Sequence, residues 1–243
     1  PGYIPSKMLN PDHPNSKIQA TPDQVRDFQK RVGVQMWGLQ TDTSAMYVVH
    51  KLAESTLNPS DEDRKAMDRL EDYRATHPDI GVIFRRAKDK RVLKKGMSMD
   101  CLTYYADADL AGDHRDSKSI SGYCVYLGDS GMFDWKSKKQ TCVCQSSCES
   151  EVYASKECTC HAIWMREPLS QMSFTFTDSE PTPICQDNRG AIALCKSDKH
   201  HSRTRHFRMH IGLLKDCREK RITVYPWVPT RFMRGDLFNK AHG

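Results

Sequence analysis

Long apolar runs are missing from this 243-residue chain. None approaches the roughly 18 residues that a membrane-spanning helix requires, so the sequence predicts no membrane partner. No charged-then-apolar leader with a small-residue cleavage site opens it, which leaves secretion without support. Thirteen glycines and twelve prolines are too few for a collagen-like or low-complexity chain. Among ten cysteines there is no CxxC pair. Cys158 and Cys160, two apart on an expected helix, point to nearly opposite sides. Cys142 and Cys144 share an expected strand face, but the next sulfur, Cys148, lies across a break. The spacing therefore argues against structural zinc and for reduced thiols filling small positions, in a reducing, intracellular compartment. The opening Pro1-Gly2-Tyr3, without Met, suggests a fragment or a processed product.

Positive charge is present in modest excess, 37 Lys and Arg against 31 Asp and Glu, with ten further histidines. It is clustered. Arg85, Arg86, Lys88, Lys90, Arg91, Lys94 and Lys95 crowd one segment. Lys196, Lys199, Arg203, Arg205 and Arg208 crowd another, with His200, His201, His206 and His210 among them. A single block of this kind is ordinarily a solvated face. Two in one basic chain point to a polyanion, nucleic acid first.

The first 96 residues read as helical. Thr21-Pro22-Asp23-Gln24 forms an N-cap with proline at the first helical position, and Val25, Phe28, Val32, Met36 and Leu39 follow at helical spacing. Met46, Val49, His50, Ala53 and Leu57 make a second apolar face, and Ala66, Leu70 and Tyr73 a third, begun after Ser60. No acid pair or Gly-rich loop in 1–95 suggests chemistry there. After Gly96 strand signals take over. Strands are expected at 102–108 and 122–127, and a third from 132–135 and 141–145. A long helix is expected from Ser146-Ser147 to about Met165, ending before Pro168. Then come a short strand ending at Gln186, a helix from Asn188, a helix over 207–219, a strand over 222–228 and a last helix over 235–242. The order is that of an α/β layered domain at 97–243, with 1–96 as a separate helical segment.

Four acids mark the ends of these elements. Asp107 sits on the first strand and Asp187 at a strand-to-helix junction, where α/β sheets commonly place function. Glu151 opens the long helix and Asp236 the last one. Glu151 shares a helical stripe with Ala154, Cys158, Ala162 and Met165, whereas Glu149 falls about 200° away, on the expected solvent side. An acid on the core-facing side of a helix is costly unless it is paired or bound to a metal.

Taken together, several motifs resemble the ribonuclease H domain of copia-type retrotransposon polyproteins. They are Tyr105-Ala106-Asp107-Ala108-Asp109-Leu110-Ala111-Gly112, Lys118-Ser119-Ile120-Ser121-Gly122-Tyr123, Trp135-Lys136-Ser137-Lys138-Lys139-Gln140 and Ser146-Ser147-Cys148-Glu149-Ser150-Glu151. Further on come Asp187-Asn188-Arg189-Gly190-Ala191-Ile192, His201-Ser202-Arg203-Thr204-Arg205-His206 and Gly235-Asp236-Leu237-Phe238-Asn239-Lys240. Residues 20–95 resemble the helical connection that precedes this domain, and the polymerase's paired-aspartate motif is absent. Leu110 and Cys148 depart from the family pattern, which usually has an aromatic and a small residue such as Thr there. The loop 229–234, which carries a histidine in many other ribonucleases H, has none.

The resemblance implies a ribonuclease H-like mixed five-stranded sheet flanked by helices, with a mainly helical N-terminal appendage. It implies an endonuclease that hydrolyses the RNA strand of RNA–DNA hybrids using two Mg²⁺ ions, with Mn²⁺ as an alternative. Asp107, Glu151, Asp187 and Asp236 fall on the family's metal-binding catalytic acids. Asn188, Lys139, Gln140, His201, Arg203 and Arg205 are the expected nucleic-acid contacts. The expected partners are the hybrid and either the polymerase part of a parent polyprotein or a host ribonucleoprotein assembly. The competing reading is a captured, non-catalytic scaffold or RNA-binding subunit with the same fold.

Overall fold

A computed structural model of the chain describes residues 20–84, 102–113, 115–128, 131–172, 180–197 and 202–240. The basic segment 85–95 and His201 lie outside them.

Three helices come first: α1 (Pro22–Gly38), α2 (Met46–Ala53) and α3 (Asp61–Thr76). Both expected N-caps form full capping boxes, Thr21 with Gln24 and Ser60 with Asp63. Phe28, Val32, Val49, Leu52, Met67 and Leu70 meet in a small apolar core of their own. Met36 and Leu57, expected on the apolar stripes, are instead exposed; α2 ends at Ala53, which leaves Leu57 in the turn before α3.

The sheet has the order β3-β2-β1-β4-β5. β1 (Leu102–Asp113), β2 (Lys118–Leu127) and β3 (Met132–Lys139) form an antiparallel meander. β4 (Thr182–Cys185) and β5 (Thr223–Val224) then add in parallel on the other side of β1. This is the expected mixed five-stranded sheet. Helix α4 (Ser147–Gln171) packs Val152, Ala154, Cys158 and Ala162 against Tyr104, Ala106 and Ala108 of β1. Helices α5 (Arg189–Lys196) and α6 (Arg208–Glu219) complete that layer, with Ala191, Cys195, Ile211 and Leu214 in the same core.

Several expected boundaries move. β3 runs to Lys139 as one strand, and residues 141–145 are irregular, so Cys142 and Cys144 share no strand face. Helix α4 continues through Pro168 to Gln171. A proline forfeits one helical hydrogen bond and crowds the carbonyl four residues back, but Leu169 beyond it is buried in the core and holds the last turn in place. The final acid lies on a 3₁₀ turn, Arg234–Phe238, rather than on an α-helix. The nine described cysteines are free thiols. Among the described residues no helix is long and apolar enough to cross a membrane.

The helical unit meets the sheet through charge. Lys51 of α2 is buried, and its Nζ lies 3.2 Å from Asp113 at the end of β1. Lys139 Nζ donates to Asp113 at 2.7 Å and lies 3.2 Å from Asp116. Arg115 pairs with Glu54 and, at 3.2 Å, with Asp113. Three cations and three carboxylates thus interlock where α2 reaches the β1–β2 hairpin.

Candidate active site

Asp107 lies on the central strand, and the neighbouring register sets its surroundings. Tyr104 and Tyr105 pair with Ile184 and Cys185 of parallel β4. Carried forward two residues, that register sets Asp187 abreast of Asp107. Gln186, fully buried, donates from Nε2 to the backbone carbonyl of Glu151 at 3.0 Å and to the Ser155 hydroxyl, tying the start of α4 to the end of β4. The result is that oxygens of Asp107, Glu151 and Asp187 all lie within 4.8 Å of one another.

The fourth acid arrives by close backbone approach. A Cβ on Gly235 would come within 3.1 Å of the Asp107 Cβ and backbone nitrogen, and one on Gly122 would meet the Gly235 carbonyl at 2.8 Å. Only two residues without side chains let the 234–238 turn lie on β1 and β2. Arg234 steadies the turn, its guanidinium 4.4 Å from the Tyr126 ring and 5.1 Å from that of Tyr105. Asp236 thereby hydrogen-bonds Asp107.

Asp107, Glu151 and Asp236 differ sharply in their affinity for protons. Burial, together with the Asp107 and Asp187 charges, pushes Glu151 well above the ordinary carboxylate range, and the Ala108 backbone N–H offsets only part of this. Asp236 is pushed up to about 6 by burial and by its hydrogen bond to Asp107. Burial acts on Asp107 in the same direction, but hydrogen bonds with Asp236 and Asn239 and the Lys240 charge outweigh it and hold Asp107 low. Glu151 Oε2 is buried and has no hydrogen-bond partner among the described residues. A buried carboxylate with an unpartnered oxygen, clustered with two further carboxylates, fits a hard divalent cation, which takes oxygen ligands.

The other expected contacts divide. Asn188 caps α5, its Oδ1 accepting from Ala191 N at 3.0 Å. Arg203 and Arg205 are exposed on the 3₁₀ helix Ser202–Phe207. Lys139 is engaged in the charge junction with α2, its ammonium close to Glu54, Asp113 and Asp116. Gln140 is buried, and its amide nitrogen donates to Ser121 Oγ at 2.8 Å and to the Ser150 carbonyl at 2.9 Å. It ties the end of β3 to α4 and does not reach the surface. Glu149, expected in solvent, is also buried, with Oε2 accepting from Gln145 N at 2.8 Å and lying 3.1 Å from His206 Nε2. The segments before α4 and around 206 close over that side of the helix, which helical periodicity alone does not register.

Three further residues support the acids, Thr230 outside the quoted motifs and Asn239 and Lys240 within the last of them. Thr230 Oγ1 donates to Asp187 Oδ2 at 2.7 Å. Asn239 Nδ2 donates to Asp107 Oδ2 at 2.7 Å. Lys240 Nζ donates to the same Asp107 oxygen at 3.0 Å and to Asp236 Oδ1 at 2.5 Å.

Comparison with known proteins fits this picture. The chain is 31% identical over 204 residues, 84% of its length, to the retrovirus-related Pol polyprotein from transposon RE2 of Arabidopsis thaliana. It is 31% identical over 190 residues, 78% of its length, to that from transposon RE1 of the same plant. The relatives of this chain are thus retrovirus-related Pol polyproteins of transposons. It spans 13% of the RE2 polyprotein and 12% of the RE1 polyprotein. No protein-family model matches it. Among solved structures, LC11-RNase H1 in complex with RNA/DNA hybrid aligns with a TM-score of 0.42 at 10% identity, covering 57% of this chain and 93% of that one. The stretch similar to these polyproteins includes the mixed five-stranded sheet described above.

Proposed function

We propose that residues 97–243 form a metal-dependent ribonuclease H of a copia-type polyprotein that hydrolyses the RNA strand of RNA–DNA hybrids. Residues 1–96 would be the connection segment that joins it to the polymerase part. The observation that carries this reading is the convergence of Asp107, Glu151 and Asp187, with a buried Glu151 oxygen left without a hydrogen-bond partner among the described residues.

Asp107, Glu151, Asp187 and Asp236 would hold Mg²⁺, or Mn²⁺ in its place. A divalent ion bound there supplies Lewis-acid activation of water and of the phosphoryl oxygens. The residues themselves do the positioning. Thr230 fixes the rotamer of Asp187, Asn239 that of Asp107, and Gln186 locks the helix start that presents Glu151. Arg203 and Arg205 supply exposed charge for the phosphates, which position the duplex without reading its sequence. Asn188 has its Oδ1 engaged in the cap, so its amide nitrogen is the group offered to a ribose 2′-hydroxyl, the feature that separates RNA from DNA.

The test is a cleavage assay on a hybrid labelled separately on each strand, with Mg²⁺ and with EDTA. The RNA strand alone should be cut, and only with metal. Asp107→Asn should keep the far-ultraviolet circular dichroism of the wild type and abolish cutting. A wild-type chain that binds the hybrid and the metal but leaves the RNA intact would establish the non-catalytic scaffold instead.

A further inference from the structure

The acid cluster contains a cation of its own. Lys240 Nζ lies 2.5 Å from Asp236 Oδ1 and 3.0 Å from Asp107 Oδ2, bridging the two carboxylates. Asn239, next in the chain, donates to the same Asp107 oxygen, so that oxygen already receives two protons in hydrogen bonds. The Lys240 side chain is 38% exposed and can therefore swing toward water. The three-oxygen group of Asp107, Glu151 and Asp187 does not include Asp236, whose Oδ1 accepts from Lys240. The site is thus asymmetric: a carboxylate trio with an orphaned oxygen on one side, and a carboxylate pair already neutralised on the other.

We infer that Lys240 is a tethered cation occupying the Asp107–Asp236 half of the site. The chain then binds one divalent ion firmly at the trio and admits a second only by displacing the ammonium. This rests on the metal-binding reading given above. The physical argument is exclusion and charge. A divalent ion held by these two carboxylates would need the oxygens that the ammonium already engages. A positive group held between the same two oxygens must also repel an incoming dication at short range. The weak half of the site would then fill when substrate phosphates arrive, because they add negative charge and can draw the lysine off the acids.

The experiment is calorimetric titration of the full 243-residue chain with Mn²⁺ in the absence of nucleic acid. Wild type, Lys240→Met, Lys240→Gln and Lys240→Arg are compared, each checked for its fold by circular dichroism. Wild type should show one firm site. Lys240→Met and Lys240→Gln should show two, the second tightened at least about tenfold relative to wild type by loss of the competing charge. Lys240→Arg, which keeps the charge, should again show one. The inference is overturned if wild type binds two ions with equal affinity, or if Lys240→Met and Lys240→Gln titrate like wild type while one ion still binds. It also falls, together with the metal-binding reading, if neither wild type nor any variant binds an ion.

Discussion

Replacing Asp113 with asparagine should cost the protein about 3 kcal/mol, and the junction between α2 and the sheet shows why. Asp113 is 2% exposed and faces three cations: Lys139 at 2.7 Å, Arg115 at 3.2 Å and Lys51 at 3.2 Å. Lys139 and Arg115 are partly exposed and keep Glu54 or Asp116 as partners. Lys51 is 6% exposed, and its other carboxylate, Glu54, is farther away at 3.7 Å. A neutral amide in place of the Asp113 carboxylate would therefore leave a buried ammonium poorly neutralised. Breaking a buried pair from one side costs about 3–5 kcal/mol, and the surviving partners put this case at the lower end. In a chain of this size that is a fall of roughly 6–12 °C in melting temperature. Urea denaturation at pH 7 measures it, with Asp116→Asn, on the exposed rim, as a control expected to change stability by no more than about 0.5 kcal/mol. Adding Lys51→Met to Asp113→Asn should recover part of the loss.

The pH dependence has a definite sign. Burial alone would raise the Asp113 carboxyl, but Lys139, the Arg115 backbone N–H and Lys51 outweigh it and hold the folded value below the ordinary 3.8. The contribution is therefore whole above about pH 4 and is lost as pH falls through the depressed folded value. The gap between wild type and Asp113→Asn should close below that pH. A loss under about 1 kcal/mol at pH 7, or a gap that widens in acid, would refute the reasoning.

Glu149→Gln should keep RNA cleavage, since Glu149 faces His206 rather than the acid trio, but should cost about 1–2 kcal/mol in thermal melts through the weakened His206 contact. Loss of cleavage in a folded Glu149→Gln protein would show that the helix presents the other acid to the site. Reversing Arg203 and Arg205 to Glu should weaken hybrid binding and make the log–log salt slope shallower by about 2 or more in fluorescence anisotropy, with Mn²⁺ titration unchanged. Salt-insensitive binding by the wild type would point to a protein partner.

The parts of this protein that were legible in its sequence are those governed by local rules. Thr21 and Ser60 announce two helices through capping boxes that depend on residues three positions apart. The β1–β2 meander follows from β-rich runs bounded by turn residues, and the acids stand out at expected element ends, although β1 runs six residues past Asp107. What escaped was decided across long stretches of chain. Glu149 is buried by residues around 145 and 206, not by its own helix. Lys139 and Gln140 look like an exposed basic motif, yet one is drawn into a charge network with α2 and the other into a buried tie to α4. Pro168 marks an expected stop that the burial of Leu169 overrides. Gly122 and Gly235 carry no signal individually, because the reason for each is the other.

The hydrogen bond from Asn239 to Asp107 closes a loop of 132 residues. A contact that distant is among the most expensive in chain entropy and cannot form early. The strand that bears Asp107 can pair with β2 through a short hairpin long before the 234–238 turn has anything to lie on. Through most of its folding, and throughout its synthesis until residue 240 is made, the chain would hold an incomplete set of acids. Any nuclease activity would thus be inseparable from completion of the whole domain, and a chain cut short before the 234–238 turn would lack it.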